Sequence, residues 1–351
     1  MVKEASRRKF LKRVTGTLAA TSTLSSPLFH VQAAPTDSDS FWQMVRWQFP
    51  FKEEKVPMNA ANLCPSPFSV AERVAELTRD IDVDCSFNNR AKFTDLLENS
   101  RAKVAKHLGV SSDSIALVRN TSEANNVINN GLALKPGDEV VLWSQNHPTN
   151  NVAWDVRAAR FGLRIKRVDL PEFPTDLEQL IEPFEKAFSG STRVLALTHV
   201  SNVSGLRLPV KELSQRAHRR GIHVHVDGAQ SWGALDVDLT EIGCDSYAAS
   251  AHKWFVGPKE VGVLYVKRDR IEDIWPNVVA PGWGNDVTPD VKGARKFESL
   301  GQRDDGCMSA VGTTADLHLL IGSDRVETRV YELVRTLKKG LKECGAKLVT
   351  P

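Results

Sequence analysis

The chain has 351 residues, of which 41% are hydrophobic and 25% charged; this excludes a low-complexity or disordered polymer and leaves room for a sizeable core. The formal charge of +3 belongs to the start of the chain. Residues 1–34 hold six basic side chains (Lys3, Arg7, Arg8, Lys9, Lys12, Arg13) against the single acid Glu4, so the remainder is slightly acidic and offers no nucleic-acid surface.

Taken in chain order, Ser6-Arg7-Arg8-Lys9-Phe10-Leu11-Lys12 resembles the twin-arginine export consensus. A mild apolar stretch from Val14 to Leu28 follows, and Val31-Gln32-Ala33 offers small residues for cleavage. The resemblance implies a signal peptide over residues 1–34, engagement of the twin-arginine export machinery, and a periplasmic or secreted product. A disordered basic terminus is the plainer alternative. No other segment is apolar and long enough for a membrane helix.

Residues 35–58 are polar and mixed, an arm leading into the domain. From Asp113 onward short apolar runs alternate with amphipathic ones. Runs 115–118, 139–143, 163–168, 194–197 and 222–226 predict strands, with helices near 123–133, 151–161, 176–188 and 211–220 between them. Such alternation predicts an α/β fold with a mainly parallel sheet between helices. Residues 246–249 and 261–266 continue the sheet, the second as a hairpin return. A long amphipathic helix is expected near 323–343, and 346–349 begins a further strand. Cys64, Cys85, Cys244, Cys307 and Cys344 are scattered and odd in number, which argues against a disulfide framework or a zinc site and for mostly buried, inert thiols.

Three runs carry the chemistry. His225-Val226-Asp227-Gly228-Ala229-Gln230 puts an acid at the C-terminal end of a predicted strand, where parallel sheets bind ligands. Ser250-Ala251-His252-Lys253-Trp254 puts an amine after the next strand. Asn120-Thr121-Ser122-Glu123 opens a helix with hydroxyls and backbone N–H groups suited to a phosphate, although the same pattern also makes an ordinary N-cap.

Together with Val200-Ser201-Asn202-Val203-Ser204-Gly205, these runs follow the order and approximate spacing of the class V aminotransferase family, which includes cysteine desulfurases, kynureninases and isopenicillin N epimerase. The chain resembles that family from about Met58 to its end. The resemblance implies a fold type I enzyme with pyridoxal 5′-phosphate (PLP) as cofactor, a large domain over 59–310 and a small C-terminal domain beginning at 311 and incomplete. It also implies a homodimer and a small amino-acid-like substrate. By position, Lys253 would be the cofactor-linked lysine and proton shuttle, and Asp227 would pair with the pyridine nitrogen. Gln230 and Asn202 would address the ring hydroxyl side, and Thr121, Ser122, Ser250 and His252 would hold the phosphate. His147, in Asn146-His147-Pro148-Thr149-Asn150, matches the histidine that stacks on the ring in desulfurases. Gln302 or Arg303 stands where relatives donate a phosphate contact from a second subunit, but the usual Gly-Thr is replaced by Gly301-Gln302-Arg303.

Two other readings remain at this point. His223, His225 and Asp227 alternate along one strand, so a metal-dependent hydrolase could present them on one face. A PLP-binding relative with impaired turnover is the other, because the substrate-carboxylate arginine of the small domain is not identifiable. Within the family the branch most resembled is that of isopenicillin N epimerase, with epimerase, aminotransferase or lyase chemistry left open.

Overall fold

The computed structural model describes residues 39–52, 54–280, 291–348 and 350. The expected leader, residues 1–34, lies outside them. The chain opens on helix α1 (Asp39–Arg46), then α2 (Phe68–Val83), the short α3 (Phe87–Arg90) and α4 (Lys92–His107). Alternation follows: β1 (Ile115–Val118), α5 (Thr121–Gly131), β2 (Glu139–Trp143), α6 (Pro148–Phe161), β3 (Arg164–Val168), α7 (Glu178–Ala187), β4 (Thr192–Thr198), α8 (Val210–His218) and β5 (His223–Asp227). The short α9 (Leu239–Ile242) leads to β6 (Ser246–Ser250) and β7 (Gly262–Val266). Helices α10 (Asp305–Ile321) and α11 (Ser323–Glu343) close the order.

The strands form one sheet in the order β1-β7-β6-β5-β4-β2-β3. β3, β2, β4, β5 and β6 run parallel, and β7 lies antiparallel to both β6 and β1. The hairpin return predicted for 261–266 is therefore present, and β7 also receives β1. Strand order reverses between β2 and β4, so the helices that follow them pack on opposite faces of the sheet, and this switch point is the usual ligand position in such sheets.

Alternate residues face two separate cores. Val224, Val226, Tyr247 and Ala249 pack with Val104 of α4, Leu213 of α8 and Val311 of α10. Ala196, Ala248 and Leu264 pack on the other side with Ala124, Val127 and Ile128 of α5 and Trp154 of α6. With both faces covered, apolar runs such as Ile115–Val118 and 140–143 are buried along their whole length, whereas the central strands β5 and β6 interleave apolar residues with His225, Asp227, Ser246 and Ser250. Edge strand β3 is the exception: Arg164, Lys166 and Arg167 line it, charges that discourage pairing with another sheet.

Helix α10 packs along α2 and α4, and the domain boundary expected at 310 falls within it. The amphipathic helix expected at 323–343 forms as α11, with no buried residue. Residues 346–348 do not form the expected strand. Among the described residues no helix is long and apolar enough to cross a membrane. All five cysteines are free, but only Cys244 and Cys307 are buried; Cys64 is half-buried and Cys85 and Cys344 are exposed, so the expected burial of most thiols does not hold.

Candidate active site

Asp227 is the last residue of β5 and only 2% exposed. Its Oδ1 accepts the backbone N–H of Ala229 (3.0 Å) and its Oδ2 accepts Nδ2 of Asn125 on α5 (2.9 Å). The chain then turns at Gly228, where a Cβ would lie 1.9 Å from the Tyr247 ring. Only glycine fits there, and this fixes the turn that presents the carboxylate.

Lys253 lies in a tight loop just past β6, the strand beside β5. The loop is closed by Gly257 N–H donating to Ala251 O (2.6 Å) and Val256 N–H donating to Lys253 O (2.9 Å). Val256 has φ +53°, a left-handed conformation that costs a β-branched residue on the order of 1–3 kcal/mol. Residues 59–66 strap the loop from outside. Cys64 N–H donates to His252 O (2.8 Å), Ser66 Oγ to Gly257 O (2.8 Å) and Lys259 Nζ to Cys64 O (2.8 Å). Burial pushes the Lys253 ammonium below the ordinary lysine range, and the charge of Asp227 opposes that shift.

The phosphate-type site forms where α5 begins. Asn120 caps the helix by accepting the Glu123 N–H (3.0 Å). Thr121 is buried, its N–H bonded to Ser250 Oγ (2.8 Å) and its own hydroxyl 2.6 Å from the same atom. Gly262 presses this loop against β6: a Cβ there would meet Asn120 Cα at 2.8 Å and Ala249 O at 2.7 Å. His252 is half-buried, with its Nδ1 buried and lacking a protein partner. Burial, then the neighbouring lysines, lower its proton affinity. Thr198 Oγ1, in register with Asp227, is likewise buried without a partner. A helix N-terminus, two hydroxyls and an orphaned ring nitrogen suit a phosphate, and a buried carboxylate beyond them suits a protonated ring nitrogen. The residues present fit PLP.

The remaining expected residues are placed less uniformly. Ser122 is exposed and lines a surface cavity of about 400 Å³ with Arg119, Asn126, Phe297 and Leu300. His147 caps α6; Thr149 N–H donates to its Nδ1 (3.3 Å) and Thr149 Oγ1 lies 2.7 Å from it, which puts the proton of the neutral ring on Nε2. Gln230 is buried, but its Nε2 donates to Ala61 O (3.0 Å) and its Oε1 accepts Trp254 Nε1–H (2.8 Å). Asn202 is exposed in the turn after β4. Arg303 is drawn into its own subunit, donating to Leu117 O (2.5 Å) beside Glu298, whereas Gln302 stays exposed and accepts from Arg90 (2.8 Å).

Sequence reasoning missed Asn125 and Asn146. Asn146 is buried and staples β2 to β4, donating to Ala196 O (2.9 Å) and accepting Thr198 N–H (2.8 Å), which sets the position of His147. Asn125 had been given no role, and an asparagine beside Ala124, Val127 and Ile128 on the buried side of the helix was the available signal. The metal-ligand alternative does not assemble. His225 spends both ring nitrogens on Asn125 Oδ1 (2.9 Å) and Ser246 Oγ (2.8 Å), and no group of three or more His, Cys, Asp or Glu among the described residues could hold a metal.

Comparison with known proteins agrees with this geometry. The profile of one family, described as Aminotransferase class-V, matches residues 70–350. The chain belongs to that family. Its cofactor is PLP, in keeping with the site and with the class V aminotransferase fold. Among curated class V relatives, isopenicillin N epimerase of Streptomyces clavuligerus is 29% identical over 321 residues, 88% of this chain and 81% of that protein. A probable cysteine desulfurase of Methanothermobacter thermautotrophicus is 32% identical over 251 residues, 70% of this chain and 61% of the relative. Among solved structures, the apo cysteine desulfurase of Thermococcus onnurineus NA1 has a TM-score of 0.78 at 26% identity, covering 88% of this chain and 78% of that one. A C-DES mutant with glycine covalently linked to its PLP cofactor has a TM-score of 0.76 at 24% identity, covering 85% of this chain and 80% of that one, and shows the shared fold.

Proposed function

We propose that this class V protein breaks and remakes a bond at the α-carbon of an amino acid or amino-acid-derived amine, with isopenicillin N epimerase-like chemistry as the best-supported reaction. The observation that carries the reading is the placement of a half-buried amine, Lys253, and the buried Asp227 carboxylate at the C-terminal ends of the neighbouring parallel strands β6 and β5. The epimerase relative, aligned over 88% of the chain, supports the reaction type.

When bound, PLP supplies an electrophilic carbon for the substrate amine and a ring that accepts the electron pair left at the α-carbon. Thr121, Ser250, His252 and the first turn of α5 hold its phosphate, with Ser122 on the outer side of that turn. Asp227 keeps a proton on the ring nitrogen. His147 would limit tilt of the bound ring, and Gln230 and Asn202 would serve the hydroxyl side, Gln230 through the Trp254 and Ala61 contacts that hold the loop. Lys253 Nζ takes the α-proton; its lowered proton affinity raises the fraction of neutral base available. The family resemblance supports a homodimer with exposed Gln302 facing the partner, and the Ser6–Lys12 run supports twin-arginine export.

The test is α-proton exchange in D₂O, followed by NMR across a panel of amino acids, with product analysis. Deuterated product of inverted configuration without keto acid marks epimerisation, keto acid marks transamination, and released sulfide marks the desulfurase-type chemistry favoured by the 32% identical relative. Lys253→Ala should lose both exchange and the visible cofactor band. Exchange that persists in this variant defeats the proposal.

A further inference from the structure

Beneath α5 lies a polar layer that the reaction scheme above does not use. Asn125, His225, Ser246 and Asp227 are each at most 2% exposed, and His223 extends the row at the far end of β5. Contacts run in one line: His223 Nε2 to Ser246 Oγ (3.2 Å), Ser246 Oγ to His225 Nδ1 (2.8 Å), His225 Nε2 to Asn125 Oδ1 (2.9 Å), and Asn125 Nδ2 to Asp227 Oδ2 (2.9 Å).

The direction of every bond follows from its last member. An ionised carboxylate only accepts, so Asn125 turns its NH₂ to Asp227 and its carbonyl to His225. A carbonyl also only accepts, so His225 carries its proton on Nε2. Its Nδ1 must then accept, which makes Ser246 the donor and leaves the serine oxygen to accept from His223. All four donors point toward the carboxylate, and aligned bonds in a low-dielectric interior strengthen one another. Burial holds His225 neutral, pushing it down to about 3, so the row adds dipoles without adding a charge.

We infer that this directional row holds the Asp227 carboxylate in the orientation needed to keep a proton on the cofactor's ring nitrogen, which makes Asn125 and His225 positioning residues for the reaction. The inference rests on the assignment of Asp227 to the ring nitrogen made above. Without the Asn125 donor, Asp227 Oδ2 loses a charge-assisted bond in a site that water does not reach. The carboxylate is then free to turn, and the ring nitrogen has a less well-placed ion to pair with.

The experiment uses the holoenzyme reconstituted with PLP carrying ¹⁵N in the ring. The ring-nitrogen chemical shift reports protonation directly, and titration gives the PLP dissociation constant. In the wild-type protein the shift is that of a protonated ring. Asn125→Leu should move it toward the neutral-pyridine value and weaken PLP binding on the order of tenfold. His225→Gln, which can still donate to Asn125 Oδ1, should stay closer to wild type than His225→Leu. Ser246→Ala removes a hydroxyl and leaves the strand intact; it should give a smaller move in the same direction and decides the matter if Asn125→Leu does not fold. A wild-type ring shift in folded Asn125→Leu, or in Ser246→Ala when that is the folded variant, overturns the inference. Asp227→Ala separates the two levels: a shift and affinity unchanged in that variant would instead remove Asp227 from the ring nitrogen.

Discussion

Replacing Gly262 by alanine tests how the sheet builds the phosphate site. Gly262 opens β7, and an added Cβ would sit 2.8 Å from Asn120 Cα and 2.7 Å from Ala249 O, whereas ordinary contact begins at 3.4 Å. Both neighbours are backbone, so no flexible side chain can swing aside, and one strand or the loop must retreat by roughly 0.6 Å. Overpacking of this kind costs about 1–3 kcal/mol. The part free to move is the Arg119–Thr121 loop, because β6 and β7 are joined by a five-residue antiparallel ladder. Retreat of that loop draws Thr121 N–H away from Ser250 Oγ, now 2.8 Å apart, and spoils donor geometry that is effective only over a few tenths of an ångström. Gly262→Ala should therefore lose PLP affinity on the order of tenfold, with a smaller loss of apoprotein stability. Titration of apoprotein with PLP, alongside denaturant unfolding with and without cofactor, measures both. Wild-type affinity together with wild-type stability would refute the packing argument.

Other perturbations follow from the same contacts. Arg101 has a 3% exposed side chain and is held by Glu298, which also accepts the Leu117 N–H (2.5 Å), and at Nε by Glu98 (3.1 Å), so Glu298→Ala leaves the cation with Glu98 as counter-ion and should cost about 1–3 kcal/mol in urea unfolding. Arg101→Met combined with Glu298→Leu should recover much of that loss; a double variant no better than the single one contradicts the explanation. His107, His199 and His225 are pushed down to about 3, and His318 to about 4, chiefly by burial. Their folded values lie below the unfolded value near 6.5, so the unfolded chain binds more protons as pH falls below it, and stability drops by up to about 1.4 kcal/mol per pH unit for each histidine. Carboxylates titrate only nearer pH 4, so a stability profile that is flat between pH 6.5 and 5 would count against these burials. Because Lys253 is held below the ordinary lysine range, the rate at which apoprotein recombines with PLP should rise with a midpoint below about 10.4. Asp227→Asn removes the charge that opposes the shift and should lower the midpoint further; an upward move contradicts the coupling.

The parts of the site legible in the sequence were those in which the neighbours are local. Asp227 ends a strand, Thr121 opens a helix and Lys253 follows the next strand, and each of these was read from a run of fewer than ten residues. Gln230 shows what such reading leaves out. Its place after the acid was plain, but the direction of its amide depends on Ala61, 169 positions away, and on Trp254. Arg303 is similar: its contacts with Leu117 and Glu298 are set by packing far from its own segment. The three-residue alternation His223, His225, Asp227 predicted one shared face correctly, yet could not say whether a metal or an asparagine stood opposite.

By itself the sequence determined the succession of strands and helices, and with it which strand ends carry an acid, an amine and a hydroxyl pair. Hydrophobic periodicity and turn chemistry act within a few residues, so they survive being read one window at a time. Only the tertiary structure decided that Asn125, 102 positions from Asp227, completes its hydrogen bonding, and that Gly262 sets the width of the phosphate site. Those contacts exist because α5 is pressed onto one face of the sheet by a core that no local pattern encodes, and a hydrogen bond is made or lost within tenths of an ångström of that packing.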